Sequence, residues 1–295
     1  AAIPLLGVAR AKERVYAPAC VIATEHAIDA VVARGRDRTD AARVPGWVAN
    51  EAMVDKQRSM GGMALTVGQQ QAVSGITGSG RGVDLVIGVA GAGKTTALDA
   101  VRTAFEAEGY TVLGTATSGQ AARTLGRDAN VVSSTLASLL WRLDHRQVSL
   151  NADTVVILDE AGMTDDPDLL RLLTAAENAR AKVVMVGDDR QLGAVGPGGG
   201  LGALVDRHEP GVWVLDENVR QADPNERAAL DQLRSGDAGM AVDWMAGHGR
   251  IGTGADRTET IDAMVHAWAA DIYAGKDSMM MAWRRTNVDA LNRTA

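Results

Sequence analysis

Gly88-Val89-Ala90-Gly91-Ala92-Gly93-Lys94-Thr95 follows an apolar run and leads into a helical one, with the spacing G-x-x-x-x-G-K-T. Glycines so spaced let the backbone turn until successive N–H groups face one point, and a helix N-terminus adds positive potential there. A turn of this kind holds the oxygens of a phosphate chain. Lys94 supplies a compact cation for β- and γ-phosphates, and the Thr95 hydroxyl suits Mg²⁺. The expected nucleotide-binding residues are therefore Gly88, Ala90, Gly91, Ala92, Gly93, Lys94, Thr95 and Thr96, with ATP and Mg²⁺ as cofactors. A chance glycine turn would lack the flanking strand and helix.

Val155-Val156-Ile157-Leu158-Asp159-Glu160 supplies the partner. Four apolar residues mark a central strand, and two acids emerge at its carboxyl end, where α/β sheets bind ligands. Asp159 is expected to hold Mg²⁺ through its water shell. Glu160 is expected to orient and deprotonate the attacking water, which separates a hydrolase from a mere binder. The bland alternative is a solvated acidic pair at a strand end.

The elements that must position these groups alternate along the chain. Strands are expected at 83–87, 111–115, 154–158, 182–186 and 212–215, with helical stretches between them, including one running through Leu140. Gly109 should end the helix that follows the glycine turn. Asp166-Pro167 marks another helix start, with the carboxylate as cap. Strands separated by helices imply a parallel sheet covered on both faces, so the fold class is α/β. Residues 1–62 read as a helical leader, with a helix over 16–34 and joints at Pro45-Gly46 and Gly61-Gly62. Beyond Arg220, helices are expected from Pro224 to Gly236 and over 259–274, then a strand at 278–282. Ile261, Met264, Val265, Trp268 and Ile272 have helical spacing, and the Met and Trp among them read as core rather than as a surface for stacking bases.

Further motifs resemble those of superfamily 1 helicases. Leu65-Thr66-Val67-Gly68-Gln69 resembles the family's Q motif, which implies that Gln69 reads the adenine edge, although Gln70 and Gln71 lie beside it. Gly187-Asp188-Asp189-Arg190-Gln191-Leu192 resembles the third motif, which implies that Gln191 senses the γ-phosphate. Leu215-Asp216-Glu217-Asn218-Val219-Arg220-Gln221 resembles the fourth, in which Arg220 would reach across a cleft as an arginine finger. Lys94, Glu160, Gln191 and Arg220 are thus the expected catalytic residues, and Thr95 and Asp159 the metal ligands. Thr117, Ser118, Ser134 and Thr135 fall where the family contacts single-stranded DNA; capping of a helix is the competing reading of such residues.

The run 191–199 and Ala282…Thr286-Asn287…Leu291-Asn292 resemble RecD-like members, and the wider pattern resembles the helicase portion of TraI/TrwC-type conjugative relaxase–helicases. That resemblance covers about residues 15–295. It implies a RecA-like P-loop NTPase domain at 63–212 and an incomplete second RecA-like domain at 213–295. It also implies 5′-to-3′ movement on single-stranded DNA, with a relaxase domain in the parent protein. The fifth and sixth family motifs are not in this sequence. A non-motor scaffold that holds nucleotide and DNA is the alternative from a different class. A RecD-type repair helicase would use the same chemistry.

Bulk properties set weaker bounds. The net charge of −7 argues against coating nucleic acid but leaves room for a local basic groove. The five histidines (26, 145, 208, 248 and 266) are scattered, which speaks against a clustered metal site. Cys20 is the one cysteine and reads as a buried, inert thiol in a reducing compartment. No apolar run reaches the roughly 18 residues of a membrane span. With no secretory signal at the start, a cytoplasmic location is expected. The first residue is Ala1 rather than Met, as in an internal fragment.

Overall fold

The computed structural model describes residues 2–4, 16–191, 193–194, 196–198, 200–208, 211–221 and 223–295. Leu192, Val195 and Gly199 of the 191–199 run, and most of the first 15 residues, lie outside the described residues. The chain divides into two compact units, Ala1–Ala222 and Asp223–Ala295.

The first unit begins with a short antiparallel pair, β1 (Ala2–Pro4) and β2 (Tyr16–Pro18). Helices α1 (Ala19–Asp37), α2 (Gly46–Ser59) and α3 (Val67–Gly78) come next. The sheet is built from β3 (Val83–Gly88), β4 (Thr111–Ala116), β5 (Val132–Thr135), β6 (Thr154–Asp159), β7 (Lys182–Gly187) and β8 (Trp213–Leu215). All pairings are parallel, in the order β5-β4-β6-β7-β3-β8. Helices α4 (Lys94–Ala107), α5 (Gly119–Asp128), α6 (Leu136–Asp144), α7 (Asp166–Ala179) and α8 (Leu201–His208) connect the strands.

β3, β6 and β7 are buried along their whole length, and their side chains alternate between two cores, as a period of two requires. Val155 and Ile157 join Val86, Val184 and Val186 on one face, under α2, α3 and α4. Val156 and Leu158 join Leu85, Val183 and Met185 on the other, under α1, α6, α7 and α8. The 1–62 segment therefore supplies layers to the sheet. Ile28, Val31 and Val32 of α1 lie in the second core, and Val48, Ala49, Ala52 and Met53 of α2 lie in the first.

Several expectations need correcting. Pro45-Gly46 opens a 14-residue helix rather than a mere joint, with Pro45 at the N-cap position. Residues 132–135 form an edge strand where helix was expected, because they pair with Leu113–Ala116 in register. Asp166 does not cap α7: the N-cap is Asp165, and its carboxylate accepts a hydrogen bond from Gly196 N instead. Cys20 is exposed rather than buried. Trp213–Leu215, expected to open the second domain, pairs with Val86–Gly88 and extends the first sheet.

The second unit holds α9 (Pro224–Ser235), α10 (Ala238–Gly247), α11 (Arg257–Tyr273) and α12 (Arg285–Thr294). α9 runs from Pro224 to a stop at Gly236, as expected, where a left-handed φ of 96° ends it. Residues 278–282 form no strand, contrary to expectation, and Met279 and Met281 are exposed. Of the expected core stripe on α11 only Val265 is buried, while Met264 and Ile272 are exposed. A unit this small buries a smaller share of its apolar surface than a larger domain does. Among the described residues no helix is long and apolar enough to cross a membrane.

Candidate functional site

Four adjacent strands, β6, β7, β3 and β8, bring their carboxyl ends to one edge, and the candidate chemistry is there. β3 ends at Gly88, and the loop then turns through Gly91 (φ +83°) and Gly93 (φ +69°) before α4 begins. Both angles lie in the left-handed region that costs a side-chain-bearing residue energy. The loop is tied to the end of β8: Val89 N donates to Leu215 O at 3.0 Å and Val219 N to Gly91 O at 3.0 Å.

A cavity of about 250 Å³ opens over this loop, lined by Val89–Thr95, Thr124, Asp128, Asp159, Glu160, Gln191 and Arg220. Lys94, Thr95, Asp159, Glu160, Gln191 and Arg220 are brought together, as are Ala90, Gly91, Ala92 and Gly93. Gly88, Thr96 and Gln69 are not among the lining residues. Gly88 instead offers its carbonyl to Lys94 Nζ at 2.9 Å. Thr96 N donates to Gly93 O within the first turn of α4. Arg220 is part of the same unit as the loop and is carried beside it by the Val219–Gly91 bond.

The acidic pair ends β6. Asp159 is buried, and burial first, then the charge of Glu160, push its carboxyl up to about 6. Glu160 adopts a left-handed φ of 53°, a sparsely populated conformation for a residue with a Cβ. Its N–H donates to Asp159 Oδ1 at 3.0 Å. Gln191 donates to Asp188 Oδ2 at 3.2 Å from the loop after β7.

The residues present fit a nucleotide with Mg²⁺. A Cβ at Gly91 would sit 2.7 Å from Asn218 Oδ1, so the loop is packed as a cradle that tolerates no side chain there. A carboxylate raised by burial and a like-charged neighbour gains from a divalent cation. Among the described residues no group of three or more His, Cys, Asp or Glu could hold a metal alone. Mg²⁺ takes one or two carboxylates plus substrate phosphates and water, and Asp159 and Thr95 both line the cavity.

Thr117 and Ser118 lie just past β4, and Ser134 and Thr135 end β5. Pairing of Thr115 with Ser134 and of Ala116 with Thr135 sets all four side by side. Two hydroxyls also cap helices: Ser118 Oγ accepts from Ala121 N at 3.1 Å, and Thr135 Oγ1 from Ser138 N at 3.2 Å. Thr124 and Asp128 carry no motif that would mark them in the sequence. They lie four apart on α5, one face of one helix, and only the packing of that helix turns them to the cavity.

Residues 64–256 match the family model described as an AAA domain. The probable conjugal transfer protein TraA of Sinorhizobium fredii is 34% identical over 227 residues, 77% of this chain and 20% of that protein. The multifunctional conjugation protein TraI of Escherichia coli K12 is 32% identical over 188 residues, 60% of this chain and 10% of that protein. This chain thus spans about a fifth or less of the length of those relatives. Among solved structures, an arterivirus nonstructural protein 10 helicase in complex with DNA aligns with 46% of this chain and 35% of that one. Its sequence identity is 18% and the TM-score is 0.32. The chain belongs to the AAA domain family, as a helicase-like P-loop module similar to those of TraI-like conjugative relaxase–helicases.

Proposed function

We propose that this chain hydrolyses ATP and couples the hydrolysis to 5′-to-3′ movement along single-stranded DNA, as the motor module of a conjugative relaxase. The observation that carries this reading is the convergence of Lys94, Thr95, Asp159, Glu160, Gln191 and Arg220 on one cavity.

In that reading the N–H groups of the glycine loop and the N-terminus of α4 bind the phosphates. Lys94 exchanges its bond to Gly88 O for the β- and γ-phosphate oxygens. Thr95 and Asp159 would hold Mg²⁺, whose charge would offset that of the phosphate oxygens. Glu160 accepts a proton from water as its oxygen bonds to the γ-phosphorus; the bond to the bridging oxygen breaks and ADP leaves. Arg220 stabilises the charge on the transferring group from the β8 side of the loop, and Gln191 contacts the γ-phosphate. DNA runs past Thr117, Ser118, Ser134 and Thr135, at the carboxyl ends of β4 and β5.

Hydrolysis of ATP by the purified chain, with and without single-stranded DNA, tests this. Turnover that DNA stimulates and Lys94→Ala abolishes is expected. Unchanged turnover in Lys94→Ala would sink the assignment of this site. A second reading, a nucleotide-holding scaffold without motor activity, draws support from the caps made by Ser118 and Thr135, which give those hydroxyls a role that needs no DNA. Unwinding of a tailed duplex by the chain removes that reading.

A further inference from the structure

We propose that Gln69 acts as a positioning residue for the phosphate loop and does not read the nucleobase. The inference deepens the hydrolase reading and rests on it.

Gln69 is buried, and its amide is committed on both sides. Oε1 accepts from Thr66 N at 2.9 Å, while Thr66 Oγ1 accepts from Gln69 N at 3.2 Å, a reciprocal capping box at the start of α3. Nε2 donates to Ala92 O at 2.9 Å and to Gly93 O at 3.3 Å. A side-chain amide has two N–H groups, so both are spent. Reading the adenine edge needs a donor for a ring nitrogen as well as an acceptor for the amino group, and the donor is gone.

The Ala92 carbonyl it holds sets where the next N–H of the loop points. A trans peptide carries its C=O and the following N–H on opposite edges. Drawing the carbonyl of Ala92 onto Gln69 turns the N–H of Gly93 the other way, toward the cavity that Gly93 lines, while Gly93 O is shared with Thr96 N and Ala97 N of the first turn of α4. Gly93 is fitted to this contact: a Cβ there would lie 2.4 Å from Gln69 Nε2. The energetic consequence is preorganised phosphate donors, which act on any triphosphate whatever its base.

The test is displacement of a fluorescent ADP derivative by Mg·ATP and by inorganic tripolyphosphate, which has no base. Gln69→Glu keeps the capping-box acceptor and removes both donors. It should weaken ATP and tripolyphosphate by the same factor, about tenfold or more. Loss for ATP with tripolyphosphate unchanged would make Gln69 a base reader and overturn the inference, as would no change for either. Thr66→Ala breaks the cap without touching the loop and should lower the melting temperature with both affinities intact. Equal weakening by Thr66→Ala would reduce Gln69 to a helix-start residue. If Gln69→Glu does not fold, Gln69→Met removes the donors without adding charge, with the same outcomes. A wild-type chain that binds neither ligand would instead overturn the hydrolase reading, and this inference with it.

Discussion

Lys182 Nζ lies 2.5 Å from Asp84 Oδ2, and neither side chain has any solvent exposure. Burial pulls the Lys182 ammonium below its ordinary value, and Asp84 opposes that shift. The pair is well satisfied. Lys182 also donates to Arg81 O at 2.8 Å, and Asp84 accepts from Ser79 Oγ at 2.8 Å and Trp213 Nε1 at 3.2 Å. The cluster joins β3, β7 and β8 at the end of the sheet away from the phosphate loop. Breaking one partner strands a buried charge, which costs about 3–5 kcal/mol. Lys182→Met should therefore lower the urea midpoint sharply, and adding Asp84→Asn should recover part of the loss. A single variant as stable as wild type would contradict this account.

Glu160→Gln removes the proton acceptor and keeps the size and position of the side chain. Binding of Mg·ATP should persist while turnover falls by about 10²–10⁴. Single-turnover hydrolysis beside equilibrium binding separates the two effects. Parallel loss of both would assign Glu160 to binding instead.

Gly75 of α3 faces Trp213 of β8 so closely that an added Cβ would sit 2.1 Å from the indole ring. Gly75→Ala should cost about 1–3 kcal/mol by overpacking. Because β8 carries Leu215, whose carbonyl anchors Val89 N, nucleotide affinity should fall as well. Thermal melts and nucleotide titration check this. A destabilised variant with intact affinity would uncouple β8 from the loop.

Asp99 of α4 should make stability depend on pH. Burial alone would raise its carboxyl, but hydrogen bonds from Lys56 and Arg102 outweigh burial and hold it below its ordinary value. A carboxyl lowered on folding contributes stability above its unfolded pKa of about 3.9, and that stability is lost as pH falls through the folded value. Urea midpoints should drop more steeply below about pH 5 in wild type than in Asp99→Asn. Parallel curves for the two proteins would argue against it.

Ser118 offers a way to separate capping from DNA contact. Ser118→Ala should cost about 1 kcal/mol through the lost cap of α5. Ser118→Asp keeps the cap but adds negative charge where a DNA phosphate would pass, so stability should hold while affinity for single-stranded DNA falls. Affinity equal to wild type in Ser118→Asp would move the DNA path elsewhere.

The parallel α/β core and the phosphate loop are legible in the amino-acid sequence alone. Local rules specify both: continuous apolar runs make buried strands, and glycines at fixed spacing make a turn whose φ angles other residues resist. Asp159 and Glu160 are legible for the same reason, since the end of the 155–158 run sets where the next two side chains emerge. Pairing and packing between distant segments settle the remainder. Trp213–Leu215 has too few residues to announce which sheet it joins, and only its register with Val86–Gly88 assigns it to the first. The short run 132–135 became an edge strand because β4 offered it a ladder. Lys182 and Asp84, 98 residues apart, look like ordinary surface charges in the sequence, and the fold alone buries them against each other. Gln69 shows the division most clearly: its place before the loop was readable, but where its amide hydrogens go depends on a loop 23 residues away folding back onto it.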